Sequence, residues 1–126
     1  DLNGKVKLIG HSNKVYEYIK GSLCVIVSSL WEDPGFVMIE ASALKKTVIN
    51  SNCPSGPKEF FNNGKNGFLF QNNNTESLIK TFDKFMQTEK KKINFFIRQS
   101  YKKSLGYSEI AHAENLNKYL KIYEKK

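Results

Sequence analysis

Leu23-Cys24-Val25-Ile26-Val27-Ser28-Ser29-Leu30-Trp31-Glu32-Asp33-Pro34-Gly35-Phe36-Val37-Met38-Ile39-Glu40-Ala41 is the stretch that decides the fold. Its first five residues form a continuous, largely β-branched run, the pattern of a strand covered on both faces. A loop with two acids and a Pro-Gly pair ends that run. An uninterrupted apolar helix follows, expected over residues 35–44. Thr47-Val48-Ile49 then supplies a second buried strand. Strand, helix and strand in that order imply a parallel sheet joined by crossovers, hence an α/β fold.

On the N-terminal side, Lys5-Val6-Lys7-Leu8-Ile9 alternates and stops at Gly10, which predicts a strand. Residues 13–21 predict a short helix capped by Asn13, with Val15, Tyr16 and Ile19 on one face. On the C-terminal side, residues 57–62 predict a short helix opening on Pro57, and Gly67-Phe68-Leu69-Phe70 a further strand. Beyond that point the pattern is purely helical. Asn74 caps a segment in which Leu78, Phe82 and Phe85, with Ile79 and Met86, recur at three- and four-residue spacing. Residues 90–104 carry Ile93, Phe96, Ile97 and Tyr101. Ser108 caps a last helix with Ile110, Ala113, Leu116, Tyr119, Leu120 and Tyr123. The 126 residues read as one domain, 1–126, with an α/β core to about 88 and C-terminal helices from about 89.

Composition narrows the class. Hydrophobic residues make up 40% and aromatics 13%, too many for a disordered tail. No apolar run approaches the ~20 residues of a membrane span, and Asp1-Leu2-Asn3-Gly4 does not read as a signal peptide. Two cysteines, Cys24 and Cys53, form no CxxC pair, which favours a reducing, cytoplasmic setting; the sequon Asn73-Asn74-Thr75 then carries no weight. The net charge of +8 is uneven. Residues 1–79 hold eight lysines against seven acids, whereas residues 80–126 hold twelve Lys/Arg against five acids. A basic half suits nucleic acid, anionic lipid or acidic ligands. It equally suits a chain rich in Lys, Asn, Ile, Phe and Tyr together, as AT-rich coding sequence makes it.

In an open parallel sheet, ligands sit beyond the carboxyl ends of the strands. That selects the loops at residues 10–13, 28–35, 50–57 and 71–74. In the second, Gly35 lets a ligand approach the backbone closely. The N–H groups of Gly35, Phe36, Val37 and Met38 open the helix and suit an anion such as a diphosphate. Glu40 lies inside an apolar helix and needs a partner, because an unpaired buried carboxylate is costly. Plainer readings stand beside these. Glu32 is then a solvated loop acid, Glu40 pairs with a lysine or caps a loop, and Gly35 is a turn glycine. Glu59 complements a helix start, His11 and His112 lie on the surface, Cys24 fills its strand's core, and Trp31 either packs or walls a cleft. No His/Cys/Asp set has metal spacing and no Ser-His-Asp set is visible.

Glu32 and Glu40, seven residues apart, with glycine three after the first and alanine after the second, resemble the Glu-x7-Glu motif of the retaining glycosyltransferases of GT-B fold, group 1 or family four. The resemblance extends through Val6-Lys7-Leu8-Ile9-Gly10, Thr47-Val48-Ile49-Asn50-Ser51, Gly56-Pro57-x-Glu59 and Gly64-x-Asn66-Gly67-x-Leu69, covering roughly residues 5–85. It implies a Rossmann-like parallel sheet flanked by helices, as part of a GT-B C-terminal domain. It also implies a sugar transferred with retention from a nucleotide-diphosphate sugar to a glycan or lipid-linked acceptor, of hexosyl or N-acetylhexosaminyl type, in polysaccharide biosynthesis. Carried over residue by residue, Glu32 would face the donor sugar and stabilise positive charge at its anomeric carbon. Gly35, Phe36 and Val37 would hold sugar hydroxyls and phosphate through backbone N–H groups, and Glu40 would accept hydrogen bonds from the ribose hydroxyls. No metal or other cofactor is expected.

Two departures stand out. The family usually reads Glu-Gly-Phe-Gly where this chain has Glu32-Asp33-Pro34-Gly35, so only the second glycine is present and Pro34 stiffens the loop. The family's upstream Arg and Lys for the diphosphate have no counterpart here, nor has its N-terminal acceptor domain, so the chain alone is expected to be inactive. The expected partners are the donor, that acceptor domain and a peripheral membrane contact at the inner face of the membrane, with no nucleic acid. The rival reading is a non-catalytic α/β module binding nucleic acid or anionic membrane through its basic C-terminal helices.

Overall fold

The computed structural model describes residues 3–123, and side chains as far as residue 121. The ends of the 1–126 domain and the Tyr123 side chain of the expected stripe lie outside the described residues. In chain order the elements are α1 (Val15–Gly21), β1 (Cys24–Val27), α2 (Phe36–Ala43), β2 (Thr47–Ser51), α3 (Pro57–Phe60), β3 (Phe68–Phe70), α4 (Thr75–Gln87), α5 (Lys90–Ser104), a 3-10 turn at Leu105–Tyr107 and α6 (Glu109–Tyr123). The three strands pair in the order β1-β2-β3, all parallel. Val25 lies beside Val48, Ile26 beside Ile49, and Ile49 beside Phe68.

Because successive strand residues point to opposite faces, each strand feeds two cores. Val25, Val27, Val48 and Leu69 meet Ile19, Met38, Ile39, Ala41, Phe60 and Phe61 on one face. Cys24, Ile49, Phe68 and Phe70 meet Leu78, Phe82, Phe85, Ile93 and Phe96 of α4 and α5 on the other. Phe68 anchors that second core, its ring edge-on to both Phe85 and Phe96 at 5.5 and 5.3 Å between centroids. Such pairs add about 0.5–1.5 kcal/mol beyond area burial. At the far end of α5 the Lys103 ammonium donates to the Glu59 carbonyl, tying α5 to α3.

The parallel α/β architecture and the helical C-terminal part are as expected, and so are the caps of the later helices. Asn74 accepts from the Ser77 N–H at 2.8 Å, and Ser108 from the Ala111 N–H at 3.2 Å. Several expectations need correction. Residues 5–9 form no strand: they run as irregular chain with Val6, Leu8 and Ile9 exposed, Leu8 at 94%. Alternation is necessary for a half-buried strand but not sufficient, and among the described residues no strand pairs with this segment. Helix α1 starts two residues later than Asn13, after Lys14, whose N–H is bound by Ser12 Oγ instead. Of the three residues expected on one face, Val15, Tyr16 and Ile19, Ile19 is buried and the other two are exposed.

Strand β1 is not covered on both faces. It lies at the sheet edge, and α4 and α5 sit over β2 and β3, leaving Ile26 46% exposed. The stripe of α6 covers no core either. Ile110, Leu116, Tyr119 and Leu120 are all exposed, because the helix packs chiefly on the 3-10 turn before it.

Truncating Phe68 to alanine is expected to cost about 3–5 kcal/mol, whereas Leu116→Ala shifts stability by less than about 0.5 kcal/mol. Urea denaturation of the two variants measures the contrast.

Candidate functional site

Three of the four selected loops meet above the carboxyl edge of the sheet, held together by specific hydrogen bonds. Ser51 Oγ donates to the Ser29 carbonyl at 2.6 Å, and Asn72 Nδ2 to the Leu30 carbonyl at 2.9 Å. The Asn72 N–H donates to Asn52 Oδ1, and the Asn52 N–H to the Phe70 carbonyl, both at 2.8 Å. The Glu32 N–H reaches the Pro54 carbonyl at 3.4 Å. Loops 28–35, 50–57 and 71–74 therefore form one hydrogen-bonded unit, although 42 residues separate Leu30 from Asn72.

Two glycines let the backbones come this close. Gly56 has φ +113°, and a side chain there would place its Cβ 2.5 Å from the Pro34 carbonyl oxygen. Gly35 caps α2 with φ +89°, ψ +67°, and a Cβ on it would lie 3.2 Å from Met38 Cε and 3.4 Å from Glu32 Oε2. The Glu32 carboxylate thus lies over Gly35 at the start of α2. Gly35 has no side chain to cap α2 and the first turn holds no acid, so among the described residues the first-turn N–H groups of Phe36, Val37 and Met38 have no side-chain cap. Phe36 and Val37 are exposed, while Met38 and Ile39 turn into the core.

Glu40 falls one turn after Phe36, on the same side of the helix. Its partner is neither a lysine nor a loop. The hydroxyl of Tyr16, on α1, donates to Glu40 Oε1 at 3.2 Å. The Glu40 charge beside it, then the hydrogen bond, then slight burial hold the Tyr16 phenol above the usual tyrosine range. The sequence places Tyr16 on one helix face with Val15 and Ile19. The signal for its true place, a carboxylate in need of a donor, could not name a partner 24 residues away.

The remaining singled-out residues divide. Trp31 is exposed, as are His11, Glu59 and His112. His112 nevertheless lines a cavity of about 510 Å³ shared by Pro34 and Phe36 on one side and Tyr107 and Glu109 on the other. Tyr107 titrates above the usual phenol range through burial first and the Glu59 charge second. Cys24 and Cys53 are free thiols; Cys24 is half-buried, and that burial pushes its thiol up. Among the described residues no three His, Cys, Asp or Glu gather as a metal site, and no helix is long and apolar enough to cross a membrane.

The family model described as glycosyl transferases group 1 matches residues 1–103. A Haemophilus influenzae protein described as an uncharacterized glycosyltransferase is 32% identical over 83 residues, 66% of this chain and 24% of that protein. The N-acetylgalactosamine-N,N'-diacetylbacillosaminyl-diphospho-undecaprenol 4-alpha-N-acetylgalactosaminyltransferase of Campylobacter jejuni is 25% identical over 125 residues, 95% of this chain and 33% of that protein. The crystal structure of a glycosyltransferase from Rickettsia africae superposes with a TM-score of 0.79 at 26% identity, covering 98% of this chain and 32% of its own. The chain thus spans a third or less of the length of each.

Two outcomes follow from the geometry. Gly56→Ala is expected to lose about 1–3 kcal/mol in urea denaturation, since both the positive φ and the Pro34 carbonyl oppose a side chain. Glu40→Gln removes the charge facing Tyr16, so the phenol, followed by NMR, titrates lower than in the wild type and closer to its usual value of about 10. The sign fixes the pH window. A raised pKa means the contact stabilises the fold below pH ~10 and fades as pH rises through the raised value.

Proposed function

The chain belongs to the glycosyl transferases group 1 family, and from that premise we propose that it forms the donor side of an enzyme that moves a sugar, with retention, from a nucleotide-diphosphate sugar to a glycan or lipid-linked acceptor. The observation that carries this reading is the disposition of two carboxylates around one helix start. Glu32 lies over Gly35 at the uncapped beginning of α2, and Glu40 lies one turn further on the exposed side of the helix.

In this reading the diphosphate rests on the N–H groups of Gly35, Phe36 and Val37. The partial positive charge of the helix end contributes about 0.3–2 kcal/mol for an anion there. Glu32 faces the sugar, where a carboxylate stabilises the positive charge that develops at the anomeric carbon as the leaving diphosphate departs. Glu40 accepts hydrogen bonds from the ribose hydroxyls, and each charge-assisted bond of this kind is worth about 1.5–3 kcal/mol. No metal enters, because the amides and the helix end supply the positive field. The acceptor is assigned to a second domain, so these 126 residues alone are not expected to transfer sugar.

The name of the Campylobacter relative, an N-acetylgalactosaminyltransferase acting on a diphospho-undecaprenol-linked sugar, supports an N-acetylhexosaminyl donor and a lipid-linked acceptor. We extend the proposal to work in the cytoplasm at the inner face of a membrane, in polysaccharide biosynthesis, where a lipid-linked acceptor would be held. The rival reading, a non-catalytic module gripping nucleic acid or membrane through basic helices, gains no support from the family match. Of the aromatics interleaved with its cations, Phe96 is buried in the core, Tyr101 is half-buried and Phe95 is exposed.

Calorimetric titration with UDP, GDP and ADP is expected to show saturable binding of one of them. Glu40→Ala should weaken it ten- to hundred-fold, with only mild dependence on salt. Equal affinity in the wild type and the variant overturns the assignment.

A further inference from the structure

The proposed donor site leaves one contact unexplained. Glu40 stands on a helix face that exposes Phe36 and Val37, yet its carboxylate is already engaged by a residue from another element, Tyr16 of α1. Among the described residues this phenol is the hydrogen-bond partner of the Glu40 side chain. Tyr16 is 49% exposed, so the ring is not held there by burial alone. It sits in the first turn of α1, immediately after loop 10–13, the one selected loop that the hydrogen bonds above the sheet do not include.

From this geometry we infer that Tyr16 is a positioning residue for the ribose seat: its hydroxyl fixes the Glu40 carboxylate so that the remaining acceptor positions meet the 2'- and 3'-hydroxyls of a ribonucleotide. The inference rests on the proposed role of Glu40. An ionised carboxylate offers about four lone-pair positions, and one phenol occupies only one. Even a half-buried glutamate such as Glu40 can sample more than one rotamer when its carboxylate has no partner, and holding it in one beforehand removes an entropic cost from binding. A vicinal diol donates two hydrogen bonds at fixed separation. It therefore gains from a carboxylate of fixed orientation, whereas a deoxyribose, with one donor, gains much less. Tyr16 thus sets selectivity for ribose over deoxyribose without touching the sugar.

The raised phenol pKa agrees with this arrangement, since at neutral pH the proton stays on Tyr16 and its hydroxyl can donate. Loop 10–13 joins the site through the same contact, because it leads directly into the turn that carries Tyr16.

The test is calorimetric titration of the chain with whichever of UDP, GDP or ADP binds, and with its 2'-deoxy and 3'-deoxy forms, in the wild type, Tyr16→Phe and Glu40→Gln. Tyr16→Phe is expected to lower affinity for the ribonucleotide about five- to ten-fold while leaving the deoxy forms nearly unchanged, so that discrimination collapses. Circular dichroism checks that the variant, which keeps the ring, stays folded. Equal losses for ribo and deoxy forms mean that Tyr16 only supports the helix, and no loss at all means that it does not orient Glu40; either overturns the inference. Glu40→Gln separates this failure from that of the underlying reading. If Glu40→Gln removes ribose discrimination while Tyr16→Phe keeps it, only the role of Tyr16 falls. If Glu40→Gln leaves affinity unchanged, or no nucleotide binds the wild type, the donor reading falls and the inference with it.

Discussion

Parallel pairing of β1 with β2, Cys24 beside Thr47 through Val27 beside Asn50, is the constraint on which the rest depends. Parallel neighbours cannot be joined by a tight turn, so the chain must cross back over the sheet before it can pair again. Helix α2 makes that crossing, and it must therefore begin at the carboxyl edge where β1 ends. The same necessity sends the chain through α3 before β3. The three loops collect at one edge as a consequence of strand direction, and the two phenylalanine-rich cores beneath hold that direction in place. A site built on this edge inherits the rigidity of the sheet without a framework of its own.

Loop segments ordinarily move more than the elements they join. Here the side chains of Ser51, Asn52 and Asn72 bind backbone groups of neighbouring loops, and each such bond contributes about 0.5–1.5 kcal/mol. The larger effect is on order. With the Glu32 N–H bound to Pro54 and Gly56 pressed against Pro34, the backbone that presents the Glu32 carboxylate is held from both sides. Gly35 and Gly56 serve the same end by different means. The first opens a left-handed helix cap beneath that carboxylate, and the second lets one loop touch another where a methyl group could not fit. Preorganisation of this kind lets a small site discriminate, because little freedom remains to be lost on binding.

What was legible in the sequence is whatever local chemistry decides. The β-branched runs announced the strands, Asn74 and Ser108 announced their helices, and Glu32, Gly35 and Glu40 stood out by their resemblance to a family motif with its flanking elements in register. What was not legible depends on neighbours distant in sequence. Residues 5–9 carry a strand's alternation, but a strand exists only with a partner, and no local pattern reports whether one is present. The α6 stripe has the helical period of a core helix, yet period describes a helix and not what lies against it. Tyr16 illustrates the limit most sharply. An aromatic at core spacing reads as packing, and only the fold reveals that its hydroxyl is spent on a carboxylate in another helix. Asn72, within the one low-complexity patch of the chain, likewise gains meaning only from the loops it bridges.

Charge completes the separation between scaffold and site. The excess of cations lies in residues 80–126, and α5 alone carries six of them with no acid. Residues 28–44, by contrast, hold three acids and no cation. An anion attracted to this protein by simple Coulomb forces would therefore go to the helices and not to the start of α2. Within residues 28–44 the proposed donor site offers amide groups and a helix end as sources of positive potential, and these act over the length of a turn. Such sources select by geometry, since their strength falls away as soon as the anion is misplaced, whereas a lysine cluster tolerates many poses. The two carboxylates sharpen that selection: near Gly35 a diphosphate must fit between Glu32 and the amides without bringing like charges together.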